Sequence, residues 1–293
     1  MKRTVFRHRG LPYLLVLPQV AVTIVFFIWP AFESVRLSVY RTSPFGDKSY
    51  FVGLENFAKL LASPEYYHSI AVSFIFGFGV TGLAVGGGLF VAAFATQNIR
   101  GLTVYRTAVL WPYGIAAPVA GIIFLFMFHP SYGVLPYWLS FVTSYDFNWL
   151  LRGWVAMLLV IVATAWTLVG YNIAFFLAGL LAIPTSVLEA ASVDGAGSIR
   201  RFASIVLPLL SPITFYLVVV NMIFAFFGAF GVIHAVTQGG PGRATEILVY
   251  KVYKDGFIGL NLGSSAAQSV ILMIVVITLT ALQFRFLERR VTY

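Results

Sequence analysis

The sequence has 293 residues, of which 60% are hydrophobic, 17% aromatic and only 10% charged. Soluble domains usually carry about a quarter of charged residues, so this composition excludes an ordinary soluble protein and predicts a multi-pass membrane protein. No cysteine is present, which excludes disulfides and thiolate metal sites. The formal charge of +9 is interpreted as a topology signal, and we expect no nucleic-acid partner.

Six apolar stretches are long enough to cross about 30 Å of hydrocarbon as helices. They are continuously apolar and do not alternate at every second residue, which favours helices over a barrel. The fold class predicted is therefore an all-α membrane protein with six transmembrane helices, at about 11–32, 69–95, 104–128, 153–183, 205–235 and 265–287. Pro18, Pro112, Pro118 and Pro208 are expected to kink their spans.

Lysine and arginine are unevenly divided between the two sides of this arrangement. With the N terminus inside, the inner segments hold 11 basic and 3 acidic residues, and the outer segments hold 8 and 7. Short loops rich in basic residues stay on the cytoplasmic side. The distribution predicts an N-in/C-in topology, with residues 184–204 in the cytoplasm.

Glycines recur in the second span, and Gly82 and Gly86 form a G-x-x-x-G pattern. Small residues let helices approach closely in lipid. We expect these glycines to pack against another helix, either in this chain or in a partner.

No catalytic pattern is present in the sequence. The four histidines are scattered, no H-E-x-x-H occurs, and the absence of any Gly-Lys pair excludes a Walker A loop. Acidic and basic residues avoid the middle of the spans, where proton-coupled carriers keep them. We therefore expect a non-catalytic chain that takes energy from elsewhere; an autonomous ion-coupled carrier or channel is the alternative from another class.

A polar stretch interrupts the apolar sequence between the fourth and fifth spans. Pro184 ends one helix, and Ser186 with Glu189 forms a capping-box pattern that predicts a short helix. Gly195 is expected to adopt a positive φ in a turn, and Ser198 to cap the next helix. The pattern predicts a helical hairpin.

The segment E-A-A-S-V-D-G-A-G at 189–197 resembles the EAA loop of ABC importer permeases. The resemblance implies a type I importer permease fold over a single domain, 1–293. It also implies that the loop, about 184–204, docks on a separate ATPase subunit and couples ATP hydrolysis to movement of the spans. The implied coupling residues are Glu189, Ala190, Ala191, Asp194 and Gly195.

Other segments are similar to the carbohydrate-uptake (maltose-type) permeases within that family: FVGLENF at 51–57, WPYGIAAPVAG at 111–121, IVLPLLSPITF at 205–215 and TQGGPGRATEILVYKVYKDGF at 237–257. The two ends of the chain resemble members that import sn-glycerol 3-phosphate, which implies that substrate; a sugar or disaccharide is the alternative. The implied partners are a second permease, two ATPase copies, an extracytoplasmic solute-binding protein and membrane lipid. The resemblance implies the bacterial inner membrane and no cofactor in this chain, with ATP and Mg bound by the ATPase.

Uncharged polar residues within the spans are the candidates for contact with a solute. They are Thr167, Tyr171, Asn172, Asn221 and Gln268. Bridging between helices is the alternative role for such side chains. His234 is expected to be structural or interfacial.

Overall fold

The computed structural model describes residues 10–43, 48–95, 102–142 and 147–287. These residues are mostly helical, with one small antiparallel hairpin. In chain order the elements are α1 (Leu11–Ser38), β1 (Tyr40–Thr42), β2 (Ser49–Phe51), α2 (Glu55–Leu61), α3 (Pro64–Ala95), α4 (Leu102–Leu110), α5 (Ala117–Phe128), α6 (Val134–Val142), α7 (Gly153–Ala182), α8 (Thr185–Val193), α9 (Ser198–Leu209), α10 (Ser211–Phe227), α11 (Phe230–Val236), α12 (Leu248–Tyr253) and α13 (Leu262–Leu287).

Four helices are each long and apolar enough to cross a membrane within the described residues. They are α1, α3, α7 and the part Leu262–Arg285 of α13. Two bent helix pairs pass the same test, so the count is four, or up to six if each pair is one span. The protein is therefore a multi-pass, helical membrane protein.

The third and fifth predicted spans are bent. The segments Thr107–Gly114 and Ala117–Phe128 meet at 110°, and α9 and α10 meet at 66°. Ile115 and Ala116 are extended between the first two, and Pro112 and Pro118 lie on either side of them. Proline removes a helical hydrogen bond and clashes with the preceding turn, which explains breaks at these places. Pro208 likewise lies in the last turn of α9, whereas α1 continues through Pro18.

The chain divides into two units, the first comprising residues 1–63 and 252–271. In this unit β1 and β2 pair in antiparallel register, with Tyr40 opposite Phe51. The Asn56 amide donates hydrogen bonds of 2.8 Å and 2.9 Å to the carbonyls of Ser38 and Tyr40. A Cβ at Gly263 would lie 2.2 Å from the Tyr40 oxygen, so only glycine fits there. These contacts fix the FVGLENF segment at the end of α1.

The second unit comprises residues 64–251 and 272–293, and its core lies among α3, α7, α9 and α10. The buried apolar side chains there are Val85, Ala92, Ile173, Phe176, Val206, Leu210 and Leu217. A Cβ at Gly88 would lie 2.5 Å from the Asn172 Cβ, so this glycine lets α3 and α7 approach closely. Gly82 and Gly86 differ, because a Cβ at either position meets nothing within 4 Å. The G-x-x-x-G pattern therefore does not pack against the described residues.

The segment between α11 and α12 packs on the start of α3 in the same unit. The Ser73 hydroxyl accepts a 2.7 Å hydrogen bond from the Leu248 N–H, and Arg243 forms a 2.7 Å ion pair with Glu65. His234 stacks on Phe230 with ring centroids 5.4 Å apart. This contact is consistent with the structural role expected for the histidine.

Candidate functional site

The hairpin α8–α9 begins differently from the sequence prediction. Pro184 is the residue that precedes α8, its backbone is extended, and no side chain caps the first turn. Ser186 is already the second helical residue, so the predicted capping box with Glu189 is wrong. α8 therefore begins at Thr185, directly after Pro184, without a side-chain cap.

The turn of the hairpin closes through the backbone. Gly195 has φ +77°, as predicted, and its N–H lies 3.1 Å from the carbonyl of Ser192. The Ala196 N–H donates to the Ala191 carbonyl at 3.0 Å. These two bonds form a Schellman motif, in which glycine is the residue that tolerates the left-handed conformation.

The second helix of the hairpin is tied back to the first by an arginine. Gly197, and not Ser198 as predicted, precedes α9, and no side chain caps that helix. The Arg201 guanidinium donates to the Leu188 carbonyl and to the Ser198 hydroxyl, both at 3.4 Å. The hairpin is therefore held by backbone geometry and by one cation.

The five coupling candidates lie together on this hairpin. Glu189, Ala190, Asp194 and Gly195 are exposed, and Ala191 is half-buried. Two apolar side chains beside them are almost fully exposed, Val193 at 89% and Ile199 at 87%. Exposed apolar residues next to polar ones are typical of a surface that contacts another protein or a membrane.

Two of the candidates for solute contact are paired with each other deep in the second unit. Asn172 on α7 and Asn221 on α10 are 0% and 1% exposed. Each amide nitrogen donates to the other side chain's oxygen, at 3.0 Å and 2.9 Å, and also to a backbone carbonyl of its own helix. In this conformation the pair bridges two helices.

Tyr171 precedes Asn172 and takes part in a different contact. Its hydroxyl lies 2.6 Å from that of Tyr216 on α10, so one of the two donates. Its ring packs against Tyr113 and Phe175, with centroids 5.3 Å and 4.7 Å away. Sequence reasoning missed Tyr113 and Tyr216, although tyrosine hydroxyls in apolar spans are a signal that would have found them.

The remaining two candidates have local partners. The Thr167 hydroxyl donates to the Thr164 carbonyl at 2.8 Å. In the first unit the buried Gln268 amide donates to Asp255 at 2.6 Å, and its oxygen has no hydrogen-bond partner among the described residues. Asp255 was missed by sequence reasoning; an acid directly before the last span was the available signal.

The site offers neutral donors, acceptors and aromatic faces. Within the described ranges, no group of three His, Asp or Glu side chains is placed to hold a metal ion. These groups hydrogen-bond to one another or to the backbone, and the hairpin presents an exposed, partly apolar face.

Comparison with known proteins places this architecture in a family. Residues 114–293 match the family described as "Binding-protein-dependent transport system inner membrane component". The chain belongs to the inner membrane components of binding-protein-dependent transport systems. The hairpin α8–α9 and the Asn172–Asn221 pair both lie in the matched part of this transport component.

Relatives of this transport component match over the whole chain. The sn-glycerol-3-phosphate transport system permease protein UgpA of Rhizobium meliloti (strain 1021) is 55% identical over 295 residues, covering 100% of both chains. The proteins of the same name from Brucella suis biovar 1 and Pectobacterium atrosepticum are 53% and 47% identical, and each comparison covers at least 98% of both chains.

Solved structures show the same fold. A crystal structure of a bacterial ABC transporter that imports the acidic polysaccharide alginate matches with a TM-score of 0.81, covering 95% of both chains at 18% identity. The alginate transporter in complex with a pentasaccharide-bound periplasmic protein matches with a TM-score of 0.79. These matches confirm the predicted importer permease fold as an overall helical architecture.

Proposed function

We propose that the chain is the permease subunit of an ABC importer for sn-glycerol 3-phosphate in a bacterial inner membrane. The observation that carries this proposal is identity of 47–55% along essentially the full length with relatives named for that transport. Identity at this level over essentially the whole chain supports retention of the same solute. Import of a sugar or disaccharide by the same mechanism, instead of sn-glycerol 3-phosphate, would contradict the proposed substrate.

The proposed topology has six spans and both termini in the cytoplasm, within a single permease domain of residues 1–293. Four straight helices and two bent pairs are compatible with six crossings. The excess of basic residues in the inner segments supports the orientation. Under this topology the hairpin α8–α9 lies on the cytoplasmic face.

In the proposed mechanism the hairpin transmits work from a separate ATPase. Glu189, Ala190, Ala191, Asp194 and Gly195 dock on that subunit, and the exposed Val193 adds apolar contact. Because α9 continues through a bend into α10, a push on the hairpin changes the angle between these helices. The chain itself performs no hydrolysis; ATP and Mg bind to the partner.

The proposed assembly contains a second homologous permease, two ATPase copies and an extracytoplasmic solute-binding protein. The hydroxyl and aromatic groups around Tyr171, together with Thr167, Asn172 and Asn221, line the proposed path of the solute in the second unit. Gln268 is proposed as a solute contact in the first unit. For the amide pair to contact a solute, its mutual hydrogen bonds have to exchange for bonds to the hydroxyl or phosphate groups. Such an exchange costs little free energy when each lost hydrogen bond is replaced by another.

The test is transport by purified components in liposomes. The complete complex with its binding protein is expected to accumulate radiolabelled sn-glycerol 3-phosphate only with internal ATP, and unlabelled maltose is not expected to compete. Accumulation by this chain alone, driven by an ion gradient, would establish the autonomous carrier instead. ATP-driven uptake of a sugar without uptake of sn-glycerol 3-phosphate would contradict the proposed substrate but would agree with the proposed ATP-dependent mechanism.

A further inference from the structure

An apolar groove opens between the second half of α3 and the start of α9. Its cavity has a volume of about 600 Å³ and is lined by Gly86, Leu89, Phe90, Ala93, Phe94, Ser198, Ile199 and Phe202. The five residues from α3 lie at positions i, i+3, i+4, i+7 and i+8 from Gly86, so they form one face of that helix. Phe90, Phe94 and Ile199 are 66%, 46% and 87% exposed, so the groove is open on one side.

The length of the groove fits an acyl chain. Gly86 lies nine residues before the end of α3 at Ala95, which is about 14 Å along a helix. That depth is close to half of the roughly 30 Å hydrocarbon core. With the end of α3 at the cytoplasmic surface, as in the proposed topology, the groove extends along an apolar face towards the bilayer centre.

A cation lies next to Ser198, at the hairpin end of the groove. Ser198 lines the groove, and the Arg201 guanidinium donates to its hydroxyl at 3.4 Å. The same guanidinium donates to the Leu188 carbonyl of the hairpin. Arginine has five donors, so these two contacts leave donors for phosphate oxygens. Basic residues beside a groove on the cytoplasmic side of spans are typical of sites for anionic lipid headgroups.

We propose that this groove binds one anionic phospholipid of the cytoplasmic leaflet, with an acyl chain between α3 and α9 and the phosphate on Arg201. The proposal rests on the cytoplasmic placement of the hairpin in the proposed function. A second cavity of about 400 Å³ adjoins the groove, shares Ala93 and Phe202 with it, and is also lined by Thr185 and Leu188 of the hairpin. The bound lipid therefore supports the base of the hairpin.

Two glycines on α3 provide a matched pair of variants. A Cβ at Gly82 or at Gly86 would have no atom within 4 Å, so a side chain can start at either position without a clash at its first atom. Gly86 lines the groove, whereas Gly82 does not. Gly86→Leu fills the groove, and Gly82→Leu adds the same side chain one turn away. Arg201→Gln removes the cation at the rim, and Lys48→Gln removes an exposed cation elsewhere.

The experiment is native mass spectrometry of the purified complete complex, titrated with dioleoylphosphatidylglycerol and, separately, with dioleoylphosphatidylcholine. We expect preferential retention of phosphatidylglycerol. Its affinity is expected to fall about fivefold in Arg201→Gln, the effect of one basic residue at an anionic lipid surface, and at least as far in Gly86→Leu. Gly82→Leu and Lys48→Gln are expected to bind it as the unmodified complex does.

Equal retention of the two lipids, or equal loss in Gly82→Leu and Gly86→Leu, would overturn the proposal. A photo-crosslinking residue in place of Phe94 distinguishes a bound lipid from a protein in the groove. Labelling of the second permease instead of lipid would also overturn the proposal. Lipid binding is measured independently of transport, so a negative result in this experiment does not contradict the proposed function. Conversely, a different transported solute leaves the lipid site standing.

Discussion

The side-chain amides of Asn172 and Asn221 exchange hydrogen bonds of 3.0 Å and 2.9 Å between α7 and α10. The two residues are 49 positions apart in the sequence and almost completely buried. Each amide also donates to a carbonyl of its own helix, so all four N–H groups of the pair are used. This pair joins the helix before the hairpin to the helix after it.

Replacement of either asparagine by alanine is expected to lower the free energy of unfolding, because the other amide is left buried with an unused group. The double variant is expected to lose less than the sum, with a coupling energy of about 0.5–2 kcal/mol. The measurement is a double-mutant cycle of unfolding in detergent micelles. Thr164→Val is the control: its buried hydroxyl has no hydrogen-bond partner among the described residues, so we expect no loss. Strictly additive losses would show that the pair is not coupled.

Gly88→Ala is expected to destabilise the second unit by about 1–3 kcal/mol, the usual effect of overpacking. The added Cβ would lie 2.5 Å from that of Asn172 and force α3 and α7 apart. Gly82→Ala adds the same methyl group where nothing lies within 4 Å, and helix propensity favours it by about 1 kcal/mol. Thermal unfolding of the two variants distinguishes them. Equal behaviour would contradict the close approach at Gly88.

Gly195→Asp is expected to leave membrane insertion intact and to uncouple ATP hydrolysis from uptake. The φ of +77° strains any residue with a Cβ, and the turn at Ala191–Ala196 opens as a result. Glu189→Lys is expected to uncouple through reversed charge on the exposed face. The ratio of solute moved to ATP hydrolysed, measured in one liposome sample, is the readout.

Gly197→Asp is the matched control for the turn. Its φ of −64° suits any residue, and a Cβ there meets nothing within 4 Å. We expect it to retain most of the coupling. If the ratio of solute moved to ATP hydrolysed is unchanged in both Gly195→Asp and Glu189→Lys, the hairpin only connects α7 to α10 and has no coupling role.

Glu55 in α2 is expected to titrate below its ordinary range. The hydrogen bond from Lys59, at 2.8 Å, is the main cause of the lowered pKa, and the charge of Arg41 lowers it further. Because the folded pKa lies below the unfolded one, these ion pairs stabilise the segment above the unfolded pKa. That contribution is lost as the pH falls through the folded pKa.

Lys59→Gln is expected to raise the pKa of Glu55, and Lys48→Gln is expected to leave it unchanged. Carboxyl chemical shifts of labelled glutamate in a micelle sample, followed from pH 7 to 2, provide the measurement. A pKa for Glu55 that does not respond to loss of Lys59 would contradict the contact.

The sequence predicted the elements whose determinants are local. Length and apolarity placed most ends of the straight helices within three residues, although α1 ends six residues later and α3 begins five residues earlier than predicted. Prolines predicted the two bends, whereas α1 continues through Pro18. Gly195 was predicted correctly because a positive φ depends on one residue and its turn. The predicted capping box is wrong because α8 begins at Thr185, directly after Pro184, so that Ser186 is already helical. The pattern alone does not show at which residue the helix begins.

Contacts between distant residues were beyond the sequence. Asn172 and Asn221 were identified singly as polar residues in spans, but no pattern relates two positions on helices whose rotation is set by packing. The partnership of Gln268 with Asp255, and of Tyr171 with Tyr216, depends on the same rotations. The sequence also did not show that the space beside Gly82 and Gly86 is empty, because the G-x-x-x-G pattern does not indicate which face of the helix packs against a neighbour.

The most direct test of energy transfer through the hairpin is a cross-link from its apolar tip. The chain has no native cysteine, so Val193→Cys introduces a single thiol into it, at a position 89% exposed. A short bifunctional reagent in membrane vesicles that carry the complete complex is expected to join this thiol to the ATPase subunit. Val142→Cys, 85% exposed on α6, is expected to give no such product. A Val193→Cys thiol that reacts with the reagent yet never joins the ATPase would contradict the coupling role of α8–α9.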